Sequence, residues 1–198
     1  MNFGEEVAYW YLRFNGFFPL PNFVLHRTDR RKASDCDVLA VRPPHVFEEV
    51  GGNQWDWDQR LEVHWAEGRT VGVICEVKSG IRIRSIFQND RVMHSVRRLG
   101  FAEDLAPEEW ESLHEEGFVD LGSSHRILKL LVADYQPRGY QRIQFVSIDY
   151  AREFLKQRVR NYHEKQGDWV FFKSNLMQDL IWEVRLEVKN AQRRQRGR

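Results

Sequence analysis

The stretch Thr70-Val71-Gly72-Val73-Ile74-Cys75-Glu76-Val77-Lys78 decides the fold. Its apolar, largely β-branched first part reads as a buried strand, and the Ser79-Gly80 turn ends it. Glu76 and Lys78 lie two residues apart, and on a strand that puts them on one face. Burying an unpaired charge costs several kcal/mol, so an acid and a lysine together at a buried strand end call for a reason. A metal-dependent active site supplies one.

Upstream, Ser34-Asp35-Cys36-Asp37-Val38-Leu39-Ala40-Val41 sets an acid directly before a second apolar strand, which makes Asp37 the natural partner of Glu76. Mg²⁺ is a hard cation that keeps several waters and is commonly held by one or two carboxylates together with substrate phosphate oxygens. Asp37 and Glu76 suit it. A lysine beside such a cation can orient an attacking water or stabilise the charge that builds on a phosphate. The chemistry expected is phosphodiester hydrolysis.

A third acid comes from residues 4–17, Gly-Glu-Glu-Val-Ala-Tyr-Trp-Tyr-Leu-Arg-Phe-Asn-Gly-Phe, which read as an amphipathic helix closed by Gly16. Val7, Ala8, Tyr11 and Leu12 form its inward stripe, with Glu5 about 90° from the stripe and Glu6 about 170° from it. Glu5 can therefore reach the rim of a site beneath the helix, while Glu6 points to water. Both acids also suit a first turn simply as solvated residues favoured by the helix dipole.

This order of a helix with Gly-Glu-x-x-Ala-x-x-Tyr-Leu-x-x-x-Gly-Phe, a strand with Asp-Val-Leu-Ala and a strand with Glu-Val-Lys resembles the PD-(D/E)XK nuclease superfamily, and within it the Holliday junction resolvase-like branch. The resemblance spans the first 80 residues or so, with a long interruption. It implies a restriction endonuclease-like α/β fold: a central mixed sheet flanked by helices, with insertions between the catalytic strands and after the Glu-x-Lys strand. It further implies an endonuclease dependent on Mg²⁺ or Mn²⁺, with Glu5, Asp37, Glu76 and Lys78 catalytic. Asp37, Glu76 and the main-chain carbonyl of Val77 would be the metal ligands. Two departures stand out: Cys36 replaces the usual proline before the motif's aspartate, where Asp35 could compete for the role, and the segment 42–69 is longer than a short hairpin.

With 198 residues, 42% of them hydrophobic, the chain fits one α/β domain over residues 1–190, with insertions at about 42–69 and 100–124. Residues 191–198 read as a disordered basic tail. A net charge of +1 does not announce a nucleic-acid binder, but its distribution is suggestive. Arg30, Arg31 and Lys32 precede Asp37, and Arg82, Arg84 and Arg91 follow Lys78, so DNA phosphates are the expected contact of these six residues. The acidic run within 103–116 would face away from DNA, or meet a protein partner or a second copy of the chain.

The remaining elements follow from turn and cap signals: strands at 22–27, 37–42, 126–133 and 142–148, and an added strand at 61–65. Helices are expected at 90–99 before Gly100, at 107–116 before Gly117, from 150 with Asp149 as cap, and from a cap at Asn175 to about 190. Trp55 and Trp57 either stack on bases or pack the first insertion on the body. Cys36 and Cys75 read as small core residues with thiols on the face opposite the site. No run of about 18 apolar residues and no cleavable leader occur, so a cytoplasmic protein without a membrane partner is expected. The rival reading is a noncatalytic nucleic-acid-binding or assembly module on a nuclease-like fold.

Overall fold

The computed structural model describes residues 1–25, 34–46, 56–65, 68–80, 86–163 and 174–196. They form an α/β structure with a six-stranded mixed sheet flanked by helices. Helix α1 (Phe3–Phe14) leads into β1 (Phe18–Leu25), β2 (Ser34–Arg42), the short helix α2 (Gln59–Glu62) and β3 (Thr70–Lys78). Helices α3 (Asn89–Leu99) and α4 (Pro107–Glu115) then precede β4 (Phe118–Leu121), β5 (His125–Ala133) and β6 (Gln144–Ser147). Helices α5 (Ile148–Asn161) and α6 (Asn175–Arg196) end the chain.

Strands β1, β2 and β3 form an antiparallel meander, and β5 lies parallel to β3 on its far side. The edge of β5 is shared: β4 pairs with its first half and β6 with its second. A parallel neighbour requires a crossover, and here α3, α4 and β4 supply it. Central strands of such sheets are covered on both faces, which explains why Val71 to Val77 are buried without alternation.

Two apolar layers enclose the sheet. Val38, Ala40, Val73, Cys75, Val77, Leu130 and Val132 meet α1, α5 and α6, whereas Leu39, Ile74, Ile127, Leu131 and Ala133 meet α3, α4 and the 86–87 turn. Each fully buried aliphatic side chain contributes roughly 1.5–3 kcal/mol. The second layer packs closely at Gly72, where a Cβ would lie 2.7 Å from the Phe101 ring and 2.9 Å from Leu99. That glycine lets the end of α3 settle onto β3.

The expected strand at 61–65 is instead helix α2 and a following turn. The Asp58 side chain accepts the Arg60 N–H at 2.9 Å, a helix cap that outweighs the β-favouring Leu-Glu-Val-His-Trp run. Trp57 and Trp65 are buried, with the Arg42 guanidinium 5.0 and 4.0 Å from their ring centres, so Trp57 packs the insertion on the body. The Tyr11 hydroxyl donates to Asp58 at 2.7 Å and ties the same segment to α1.

Three helix ends also differ from expectation. Ser147, not Asp149, caps α5 through the Tyr150 N–H, and Ser174 accepts the Met177 N–H at the start of α6. Helix α6 continues to Arg196, because Ala191 to Arg196 are good helix formers with no breaker among them. No helix among the described residues is long and apolar enough to cross a membrane.

Candidate active site

The β2–β3 ladder runs from Arg42↔Val71 to Val38↔Cys75 and stops there. One residue farther on, the Asp37 carboxylate takes the place of a backbone acceptor: its Oδ2 receives the Val77 N–H at 2.7 Å. The β1–β2 register also skips this level, passing from Pro21↔Val38 to Phe23↔Cys36, and Asn22 adopts a left-handed φ of 50°. Alternation breaks with it. Val38 joins the α1 layer and Cys36 joins the α3 layer, so of the two cysteines only Cys75 has its thiol on the face away from the candidate site.

Glu76 is 1% exposed and held from three directions. Its Oε1 accepts the Phe87 N–H at 3.0 Å and lies 3.0 Å from Arg91 Nη1, while Oε2 lies 2.9 Å from Lys78 Nζ. The contact at Oε2 is an ion pair on a buried oxygen, with no well-aligned hydrogen bond to it among the described residues. Lys78 Nζ is also 3.3 Å from Asp37 Oδ2. Two acids from adjacent strands thus meet on one ammonium.

Burial pulls the Lys78 pKa down, but Glu76 and then Asp37 outweigh it and hold it above the ordinary lysine value. Lys78 is therefore a cation and donor at neutral pH, not a base. Phe87 adopts a left-handed φ of 50°, which costs a non-glycine residue on the order of 1 kcal/mol and turns its N–H toward Glu76. Below the site Asp134, just past β5, accepts the Gly80 N–H at 2.7 Å and fixes the turn after Lys78.

Of the sequence-predicted residues, Asp37, Glu76, Lys78 and the Val77 backbone come together. Glu5 does not join them. Its two carboxylate oxygens accept the Asn2 backbone and side-chain N–H groups at 2.9 and 2.7 Å, closing the capping box of α1. Glu6 turns not to water but to Ser174, whose hydroxyl donates to it at 2.7 Å. Arg91, expected on a phosphate path, is instead engaged with Glu76. Arg30, Arg31, Lys32, Arg82, Arg84 and Trp55 lie outside the described residues, as does the side chain of Asp35.

Nothing in the sequence marks Phe87, Asp134 or Arg91 as partners of this site, since only the crossover brings them to the end of β3. Cys36 is buried, its thiol pushed up to about 12 by that burial, and Cys75 is raised for the same reason. Such thiols are unreactive core groups. Among the described residues no group of three or more His, Cys, Asp or Glu side chains is placed to hold a cation together. Comparison with family models, curated proteins and solved structures finds no match to this chain.

Proposed function

We propose that this chain is a metal-dependent nuclease that cuts phosphodiester bonds within DNA, on a restriction endonuclease-like form of the α/β fold. One observation carries the reading: Asp37 of β2 and Glu76 of β3 approach the Lys78 ammonium at 3.3 and 2.9 Å. An antiparallel meander carrying both acids, a helical crossover and a parallel fourth strand support the same assignment.

The donor set fits a hard cation. Glu76 Oε2 is a buried oxygen without an aligned donor, and Asp37 uses only Oδ2 in its contacts with Val77 and Lys78. Asp37, Glu76 and the Val77 carbonyl would hold Mg²⁺ or Mn²⁺. Bound there, the ion would supply Lewis-acid activation of water and neutralise charge at the scissile phosphate.

The protein's own groups do the positioning. The Val77 N–H fixes Asp37, and the Phe87 N–H with Arg91 fixes Glu76. Lys78, protonated, donates to the attacking water or to a phosphate oxygen on which charge builds.

A specific observation favours a second reading. Lys78 and Arg91 balance the charges of Asp37 and Glu76, which is also what a structural ion-pair network needs, and that network would bind no metal. Cleavage of branched, single-stranded and duplex DNA with and without Mg²⁺ or Mn²⁺ separates the cases. Metal-dependent cutting supports the nuclease. Binding without cutting points to the noncatalytic module, and neither binding nor cutting to the ion-pair network.

A further inference from the structure

Strand β5 presents Ile127, Leu131 and Ala133 to the α3 and α4 layer, and Lys129, of the same parity, lies among them opposite Ile74 of β3. A lysine in that row is 5% exposed. Its Nζ donates to the His114 carbonyl at 3.4 Å, a long bond, and stands 5.5 Å from the centre of the Phe87 ring. Among the described residues no carboxylate forms an ion pair with it. Burial alone pushes its pKa down to about 8. A buried ammonium with three N–H groups and one long bond is costly unless an anion meets it.

Lys129 is not sealed in the core, however. It lines a cleft of about 570 Å³, together with Phe87, Trp110, His114, Tyr140 and Arg142. Small-molecule sites fall in the range of roughly 300–1,000 Å³ and combine aromatic walls with a few placed polar groups. Trp110 and Tyr140 are partly buried against the α3 and α4 layer, which leaves ring surface toward the cleft. Arg142, 69% exposed, pairs at 3.8 Å with Glu115 of the same lining, so Lys129 is the cation there without a carboxylate partner among the described residues. The cation at depth selects an anionic head, and the rings select a flat body behind it.

We propose that this cleft binds the phosphomonoester of a nucleotide, with Lys129 as the cation for the phosphate and Trp110 and Tyr140 as the walls for the base. Phe87 is the partition between this cleft and Glu76: its ring faces Lys129, and its N–H is donated to Glu76 at 3.0 Å. The cleft requires no catalysis at Asp37 and Glu76, so it stands or falls apart from the nuclease reading. The nucleotide is either free or the phosphorylated end of a strand, since both carry the same head.

Titration calorimetry of the full chain in EDTA tests it, with deoxyadenosine monophosphate, deoxyadenosine and inorganic phosphate as probes. The monophosphate binds saturably, and at least about tenfold more tightly than either fragment. Lys129→Met, checked for folding by near-ultraviolet circular dichroism, lowers that affinity at least about tenfold, as loss of a charged hydrogen-bond donor does. Should that variant not fold, Trp110→Leu, altered at a partly exposed ring, decides: it brings the monophosphate down to the affinity of inorganic phosphate. Displacement of the monophosphate by a 5′-phosphorylated oligonucleotide but not by its 5′-hydroxyl form assigns the cleft to strand ends, and displacement by neither assigns it to free nucleotides. No saturable binding of the monophosphate by the wild-type chain, or equal affinity in the wild type and whichever variant decides, overturns the proposal.

Discussion

Arg91 Nη1 lies 3.0 Å from Glu76 Oε1, joining the first turn of α3 to the end of β3 across the sheet face that carries the candidate active site. Glu76 is 1% exposed and Arg91 21%, so the carboxylate depends on its partners for the hydration it has lost. Losing Arg91 leaves Glu76 with Lys78 and the Phe87 N–H, so the cost is that of one charged hydrogen bond, about 2 kcal/mol. Arg91→Met should lower stability by that amount, and adding Glu76→Gln should restore much of it. Urea unfolding of the two single variants and the double variant checks this, and strictly additive effects would refute the coupling.

Glu5 is expected to act on the fold alone. Its carboxylate closes the capping box with Asn2, so Glu5→Ala should cost about 1 kcal/mol in thermal or urea unfolding. Metal-dependent cleavage per folded molecule should be unchanged. A large loss of turnover at full stability would return Glu5 to the site.

What could be read from the sequence divides along a physical line. Strand β3, the end of α3 at Gly100 and the start of α4 at Pro107 were legible because period, cap and breaker are local signals. That Asp37 and Glu76 both approach Lys78 is in keeping with two acids each attached to one of two neighbouring strands. Helix α2 was not legible, because the Asp58 cap and the docking of Trp57 and Trp65 on Arg42 override the β propensity of residues 61–65. Nor was the side to which Cys36 points, since the pairing gap at Asn22 and Asp37 leaves no mark in the hydrophobic pattern. Arg91 looked like one arginine among several; only the crossover that stacks α3 on β3 turns it toward Glu76.

Lys129 should make stability depend on pH in an unusual direction. Its folded pKa is pushed down to about 8, below the ordinary lysine value of 10.5, so between those values the unfolded chain binds more protons at this residue. Stability should therefore rise with pH across that window, and the cost of the buried ammonium is fully present below it. Lys129→Met removes a penalty on the order of 3 kcal/mol at pH 7, and its advantage over the wild type should shrink as pH approaches 10.5. Urea unfolding of both proteins at pH 7 and pH 10 measures the difference. A constant gap would mean that Lys129 is not the titrating group.

Lys78 and Asp37 should separate catalysis from metal binding. Lys78 is held protonated by two carboxylates, so Lys78→Met leaves both acids in place but removes their shared cation together with the donor aimed at water or phosphate, and cleavage is compared per folded molecule. Cleavage should fall at least about 100-fold while affinity for DNA, spread over many cations, is nearly kept. Asp37→Asn retains an oxygen for the Val77 N–H but loses the charge, so the fold should survive and the cation should not bind. Mn²⁺ titration followed by electron paramagnetic resonance reads the second variant, and single-turnover cleavage reads the first. If Asp37→Asn binds Mn²⁺ as the wild type does, Asp37 is not a ligand, and its contact with Lys78 belongs to an ion-pair network that braces the ends of β2 and β3.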